Sequence, residues 1–231
     1  MKAVVFDLDD TLYLEREYVI SGFRHVARYI TEKTGQVSEG ILFGSLKETF
    51  EQGIRGRNFN LLFDKWPEIG SFLTVSDLVL AYRGHFPEIR FQAGMGSLLS
   101  GLRDSGILLG LISDGPHAAQ SQKVKALGLA KKMDEVILTD SWGKEFWKPC
   151  ERAFTYLEDK WDLPSSQMVY IGDNPKKDFF PGNRRGWTTL RLRIPGQENF
   201  DLEPSSGEFA PDMEFSGVET LSRSLFQRGK D

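Results

Sequence analysis

Residues 3–12 read Ala-Val-Val-Phe-Asp-Leu-Asp-Asp-Thr-Leu: four apolar residues run straight into three aspartates, Asp7, Asp9 and Asp10. An uninterrupted apolar tetrad suits a strand covered on both faces, as in a parallel sheet. Negative charge gathered at the end of a buried strand is costly unless something offsets it. In open parallel sheets the carboxyl ends of the strands are also where ligands bind. The stretch therefore predicts a buried first strand, Ala3–Phe6, and a polar site at its end.

Four further short apolar runs read as strands: Leu108–Ser113, Val136–Thr139, Met168–Gly172 and Thr188–Leu192. The first three are continuous; the last alternates more and is expected nearer an edge. Helical spacing separates them. Met95, Leu98, Leu99 and Leu102 stand at i, i+3, i+4 and i+7 before Gly106. Val124 and Leu127 precede Gly128, Phe154, Leu157 and Trp161 follow Pro149, and Ser216 to Glu219 reads as a capping box before Leu221 and Leu225. Strands alternating with helices at this rhythm predict an α/β fold with a doubly wound, mostly parallel sheet. The first two strands lie about 100 residues apart, more than one crossover needs. Stripes at Val19, Phe23, Val26, Ala27 and Ile30, then Leu42, Leu46 and Phe50, then around Leu62 and Leu78, predict an inserted α-helical domain. The expected organisation is a core of residues 1–13 and 91–231 with a helical cap of residues 14–90. Residues 193–215, rich in Gly, Pro, Ser and acids, are expected to form a long surface loop.

Composition narrows the function classes. With 40% hydrophobic and 27% charged residues, the 231-residue chain has the balance of a globular protein. Its net charge of -4, without a basic block, argues against nucleic acid or an anionic membrane surface as partner. The single cysteine, Cys150, excludes an intrachain disulfide and agrees with a reducing, cytoplasmic location. Asp7 to Asp10 interrupt the N-terminal apolar run, so no secretory signal is expected, and no stretch of about 18 apolar residues predicts a membrane span.

Other runs also end in polar residues: Ser113-Asp114, Asp140 and Asp173. Several carboxylates converging at one sheet edge cannot all ionise without a cation, and hard oxygen ligands suit Mg²⁺. Asp7-Leu8-Asp9-Asp10-Thr11 resembles the first motif, DxDx[TV], of the haloacid dehalogenase superfamily. Ser113 resembles its second motif, Lys148-Pro149 its third, and Gly172-Asp173-Asn174-Pro175-Lys176-Lys177-Asp178 its fourth, all in the family's order. The resemblance implies a core with an inserted helical cap and a Mg²⁺-dependent phosphatase acting on a small phosphorylated metabolite. It implies Asp7 as nucleophile and Asp9 as proton donor and acceptor, with its backbone carbonyl a metal ligand. Ser113 and the neighbouring N–H of Asp114 would bind phosphoryl oxygens, Lys148 would neutralise charge, and Asp7, Asp173 and Asp178 would hold Mg²⁺. Relatives that cleave carbon–halogen bonds lack an acid at the position of Asp9, since halide leaves without a proton; phosphoester chemistry is therefore favoured.

A phosphomutase would use the same Asp7 and Asp9, and a non-catalytic binding module on the same fold is a further alternative. Asp10 is read as a turn residue, and Asp140 as a loop residue near the site. Lys144 rivals Lys148, with the proline context favouring the latter. Arg55 and Arg57, in a glycine-bearing loop, are candidates for a second anionic group of a substrate, against a plain solvated loop. His25, His85 and His117 show no metal-ligand spacing.

Overall fold

A computed structural model describes residues 1–228. Its helices are α1 (Glu15–Thr34), α2 (Glu39–Glu51), α3 (Asn58–Lys65), α4 (Val75–Gly84), α5 (Met95–Asp104), α6 (His117–Ala126), α7 (Arg152–Trp161), α8 (Phe179–Arg185) and α9 (Val218–Arg228). Its strands are β1 (Ala3–Phe6), β2 (Leu108–Ser113), β3 (Glu135–Leu138), β4 (Met168–Gly172), β5 (Thr188–Leu192) and β6 (Met213–Phe215). They form one sheet of order β3-β2-β1-β4-β5-β6, every neighbouring pair parallel. The fold is thus the expected doubly wound α/β arrangement. The chain winds outward from β1 through β2 to β3, then crosses to the other side of β1 for β4. The reversal lies between β1 and β4, which is where such sheets open a crevice for ligands.

Register sets the site. Phe6 pairs with Leu111 on one side and Ile171 on the other, so Asp7, Ser113 and Asp173 leave the sheet within two residues of one level. All four residues of β1 are buried, which explains why the tetrad does not alternate. Ala3, Val5, Ile112, Met168 and Tyr170 pack with Phe154 and Leu157 of α7 and with Trp187.

By contacts the chain divides into two compact units: Met1–Arg16 with everything from Ile89 onward, and Glu17–Glu88. The second unit is helical, and the apolar stripes read from its sequence supply its core: Phe23, Val26, Ala27, Ile30, Leu42, Leu46, Phe50, Leu62 and Leu78. Thr74 and Asp77 cap its last helix reciprocally.

Two expectations need correction. The stretch from 193 to 215 is not wholly irregular: Met213–Phe215 is a sixth strand pairing with β5. It forms the edge of the sheet, and β5 lies next to it, nearer the edge as its alternation implied. A three-residue strand is too short to carry a readable period. The third strand also ends at Leu138, because Thr139–Ser141 turn as a 3₁₀ segment. No described helix is long and apolar enough to cross a membrane.

Candidate active site

A cavity of about 340 Å³ is lined by Asp7, Asp9, Asp10, Glu15, Asp114, Trp147, Lys148, Asp173, Asn174, Lys177 and Asn199 among others. Asp178 is buried and bonded to the lining residues Lys148, Asp173 and Asn174, and Ser113, buried just before the lining Asp114, shares the Gln120 amide with Asp9. At the centre of the cavity the Lys148 ammonium lies 2.5 Å from Asp7 Oδ1 and 2.8 Å from Asp178 Oδ1. It also donates to the Tyr170 hydroxyl at 2.8 Å. An ammonium has three protons, and three short partners use them. Lys144, the rival, is exposed, its ammonium 5.4 Å from the Trp147 ring centroid.

Asp178 reaches its place because Gly172 leaves room; its Oδ2 accepts the backbone N–H groups of Asp173 and Asn174 at 3.2 and 2.9 Å. Asp114 accepts from the Thr139 hydroxyl at 2.8 Å and from the Lys148 backbone N–H at 3.1 Å, with Lys177 Nζ at 3.3 Å. Its side chain thus ties β3 and the Lys148 segment to the end of β2. Asp140 accepts the N–H of His117 at the start of α6, which makes it a capping residue.

Asp10 stands in the left-handed region at φ 56° and accepts the N–H groups of Glu15 and Glu198, each at 2.8 Å. It is a turn residue, as expected, and it also anchors the long loop after β5. Gln197 donates to the Asp10 carbonyl at 2.6 Å, and Asn199 Nδ2 donates to Asp173 Oδ2 at 2.9 Å. Buried Arg191 donates to the carbonyls of Asp173 and Asn199 at 3.0 and 2.9 Å. The loop after β5 is therefore built into the site.

Asp9 faces α6. Its Oδ1 accepts from Lys123 Nζ at 2.7 Å and from the Tyr13 hydroxyl, and its Oδ2 accepts from Gln120 Nε2 at 2.8 Å. The same Gln120 amide donates to Ser113 Oγ at 2.6 Å. Arg55 and Arg57 belong to the helical unit. The Arg55 guanidinium donates to the Phe50 carbonyl at 2.7 Å and lies over the Phe50 ring at 3.9 Å, while Arg57 is exposed at the start of α3.

The electrostatics follow from burial. Burial pushes Asp7 up to about 7, against the pull of Lys148 and with a push from Asp178. Burial and the charges of Asp178 and Asp7 raise Asp173 well above the usual range. In Asp178 the effect of burial is overcome by Lys148 and Lys177, and the group is held low. In Asp9 it is overcome by the charge and hydrogen bond of Lys123, with Tyr13 and Gln120 assisting, so that group too is held low. Glu15 is pushed by burial to about 7. Carboxylate oxygens of Asp7, Asp173 and Asp178 lie within 4.8 Å of one another. Three converging hard donors, two of them displaced upward chiefly by burial and further by neighbouring carboxylates, fit a divalent cation.

Gln120, Lys123, Tyr170, Lys177, Arg191 and Asn199 were not singled out from sequence. The available signal was at Gln120 and Lys123: polar residues three apart, on the same helical face as the inward-facing Ala119 and Val124.

An α/β protein with an acidic, lysine-bearing cavity at the switch point of a parallel sheet is the class this geometry defines. Within it the chain belongs to the haloacid dehalogenase-like hydrolase family, whose description matches residues 4–191. The chain is 28% identical over 242 residues to a glyceraldehyde 3-phosphate phosphatase of Methanopyrus kandleri, covering 100% of both chains. It is 23% identical to a ribulose-1,5-bisphosphate 5-phosphatase of Halopiger xanaduensis, covering 95% of each. Among solved structures, the magnesium-bound HAD-hydrolase YfnB of Bacillus subtilis matches 97% of this chain and 98% of its own at a TM-score of 0.64 and 20% identity. The last likeness concerns the fold alone.

Proposed function

We propose that the protein is a Mg²⁺-dependent phosphatase of a small phosphorylated metabolite, acting through an aspartyl-phosphate on Asp7. The observation that carries this reading is the presence of Asp9 two residues after Asp7, both lining one cavity with Lys148. Halide departure needs no proton; an alkoxide leaving from phosphorus does. The curated relatives named for a triose phosphate and a pentulose bisphosphate support a phosphorylated sugar or sugar-like substrate.

The chain's own groups divide the work. An Asp7 oxygen attacks phosphorus, and the bond to the leaving oxygen breaks as Asp9 gives that oxygen a proton. Asp9, now a carboxylate, takes a proton from the water that attacks the aspartyl-phosphate, which releases inorganic phosphate and restores Asp7. Ser113 and the N–H of Asp114 orient phosphoryl oxygens, and Lys148 offsets their charge. Asp7, Asp173 and Asp178, with the Asp9 backbone carbonyl, would hold Mg²⁺, which when bound neutralises developing phosphoryl charge. The helical unit of residues 17–88 is the proposed carrier of substrate selection, with Arg55 and Arg57 as the residues to test there.

The experiment is phosphate release from a panel of phosphorylated metabolites, with and without Mg²⁺, comparing the protein with Asp7→Asn. Turnover that needs both Mg²⁺ and Asp7 is expected. Equal turnover by Asp7→Asn, or none on any substrate, would refute the reading. Beryllium fluoride binding that is lost in Asp7→Asn tests the nucleophile separately. Transfer of labelled phosphoryl to a second substrate hydroxyl instead of water would identify a mutase.

A further inference from the structure

We infer that Lys123 is a positioning residue for proton transfer: from α6 it fixes the Asp9 carboxylate so that one oxygen stays open to the leaving group. The inference rests on the phosphatase reading and adds to it a residue that reading does not need.

The geometry is specific. Asp9 Oδ1 accepts from both Lys123 and Tyr13, whereas among the described residues Oδ2 accepts only from Gln120. A carboxylate oxygen offers two lone pairs. Oδ1 is therefore filled, and Oδ2 keeps one lone pair for the proton that passes to the leaving oxygen or from water. The Asp9 side chain remains 22% exposed, while that of Lys123 is 4% exposed. The cation is the buried half of the pair and the carboxylate the accessible half.

Stability gives little reason for this arrangement. A buried ion pair is often no better than apolar side chains of similar volume, because desolvation offsets the attraction. The four buried residues of α6 are Ala119, Gln120, Lys123 and Val124, so two inward positions are given to polar groups. Both contact Asp9. Because α6 follows directly on the Ser113 loop, and Gln120 also donates to Ser113 Oγ, one helix sets the phosphoryl-binding hydroxyl and the proton-handling carboxylate in a common frame. As Asp9 gives up its proton, negative charge develops on it, and Lys123 is already placed against that charge.

A group that acts through proton transfer to the leaving oxygen matters in proportion to how poorly that oxygen leaves. The test is kcat/KM, which covers the steps up to leaving-group departure, for an alkyl phosphate and for p-nitrophenyl phosphate with Lys123→Met and Lys123→Arg. Positioned acid–base groups contribute about 10²–10⁴-fold. We expect Lys123→Met to lose about 100-fold on the alkyl ester and under about 5-fold on the aryl ester, with Lys123→Arg recovering about 10-fold of the alkyl loss. Both substrates are measured on one preparation, so any misfolded fraction cancels in the ratio. Losses equal for the two esters, or no loss on the alkyl ester, would overturn the role of Lys123 while leaving the phosphatase reading intact. A wild-type protein without Asp7-dependent turnover would overturn both.

Discussion

Gly172 ends β4 one residue before Asp173, and a methyl group added there should damage the site from beneath. A Cβ on Gly172 would lie 2.5 Å from Asp178 Oδ2 and 2.8 Å from its carboxyl carbon. Asp178 has nowhere to retreat. Its Oδ2 accepts two backbone N–H groups, its Oδ1 meets Lys148 at 2.8 Å, and it is fully buried. Gly172→Ala must therefore push the carboxylate off at least one of these partners. Overpacking costs about 1–3 kcal/mol. Each hydrogen bond lost to a charged acceptor adds about 1.5–3 kcal/mol. With one such bond lost and partial relaxation, the expected total is about 3–5 kcal/mol. In a chain of this length each kcal/mol lowers Tm by about 2–4 °C, so thermal unfolding followed by circular dichroism should show a drop of about 6–20 °C. Gly172 is not at positive φ, so alanine brings no backbone strain of its own. Gly44 in α2, where an added Cβ meets nothing within 4 Å, is the control. Gly44→Ala should be neutral or stabilising by up to about 1 kcal/mol. A Tm for Gly172→Ala within about 2 °C of wild type would refute the claim that Asp178 is sterically locked.

Asn199→Ala removes the donor to Asp173 Oδ2, and outer hydrogen bonds of this kind usually tune metal affinity about 10–100-fold. Calorimetric titration with Mg²⁺ should show a loss in that range, and unchanged affinity would mean that the loop after β5 does not serve Asp173. Glu158 accepts from Arg185, Ser165 and Trp187; although burial works against it, these partners hold it below its ordinary 4.5. A carboxylate held low adds stability above its unfolded value and loses it as pH falls through its folded value. The Tm gap between wild type and Glu158→Gln should thus be widest near neutrality and shrink below about pH 4.5; a gap that widens in acid would contradict the assignment. Inorganic phosphate should bind measurably more tightly with Mg²⁺ than without it, and equal affinity would show that the lysines alone balance the cavity.

The extent to which sequence foretold structure follows the range of the interactions. β1, β2 and β4 are runs of consecutive buried residues, and the helices of the second unit show their stripes in spacing alone, so local pattern was enough for both. Asp7, Ser113, Lys148 and Asp173 stand next to strand ends or a proline, where position along the chain already implies position in space. Asn199 and Arg191 touch Asp173 across 26 and 18 residues, and Lys123 reaches Asp9 across 114. No short-range period encodes such contacts. Asp10 is the instructive intermediate: its turn role was legible from its residue type, whereas its hold on Glu198 depends on a loop that composition presented as featureless.

The charge balance of the cavity explains why so many acids are tolerated and why their effects differ. Its lining residues include six carboxylates (Asp7, Asp9, Asp10, Glu15, Asp114 and Asp173) and two lysines, Lys148 and Lys177. The positive charge is not shared evenly. Lys123 lies against Asp9, and Lys148 with Lys177 holds Asp178 low. The deficit falls on Asp7, pushed up to about 7, and on Asp173. These are two of the three carboxylates close enough to share one ion. Lys148 offsets the burial of Asp7 only in part, and it is divided between Asp7 and Asp178 at 2.5 and 2.8 Å. A divalent cation held by Asp7, Asp173 and Asp178 would restore Asp7 to the carboxylate that can attack phosphorus. It would also offset the approach of a phosphoryl group to a cavity already rich in negative charge. The strand that begins this chain can therefore end in aspartates because the fold gathers, around each of them, a different means of bearing the charge.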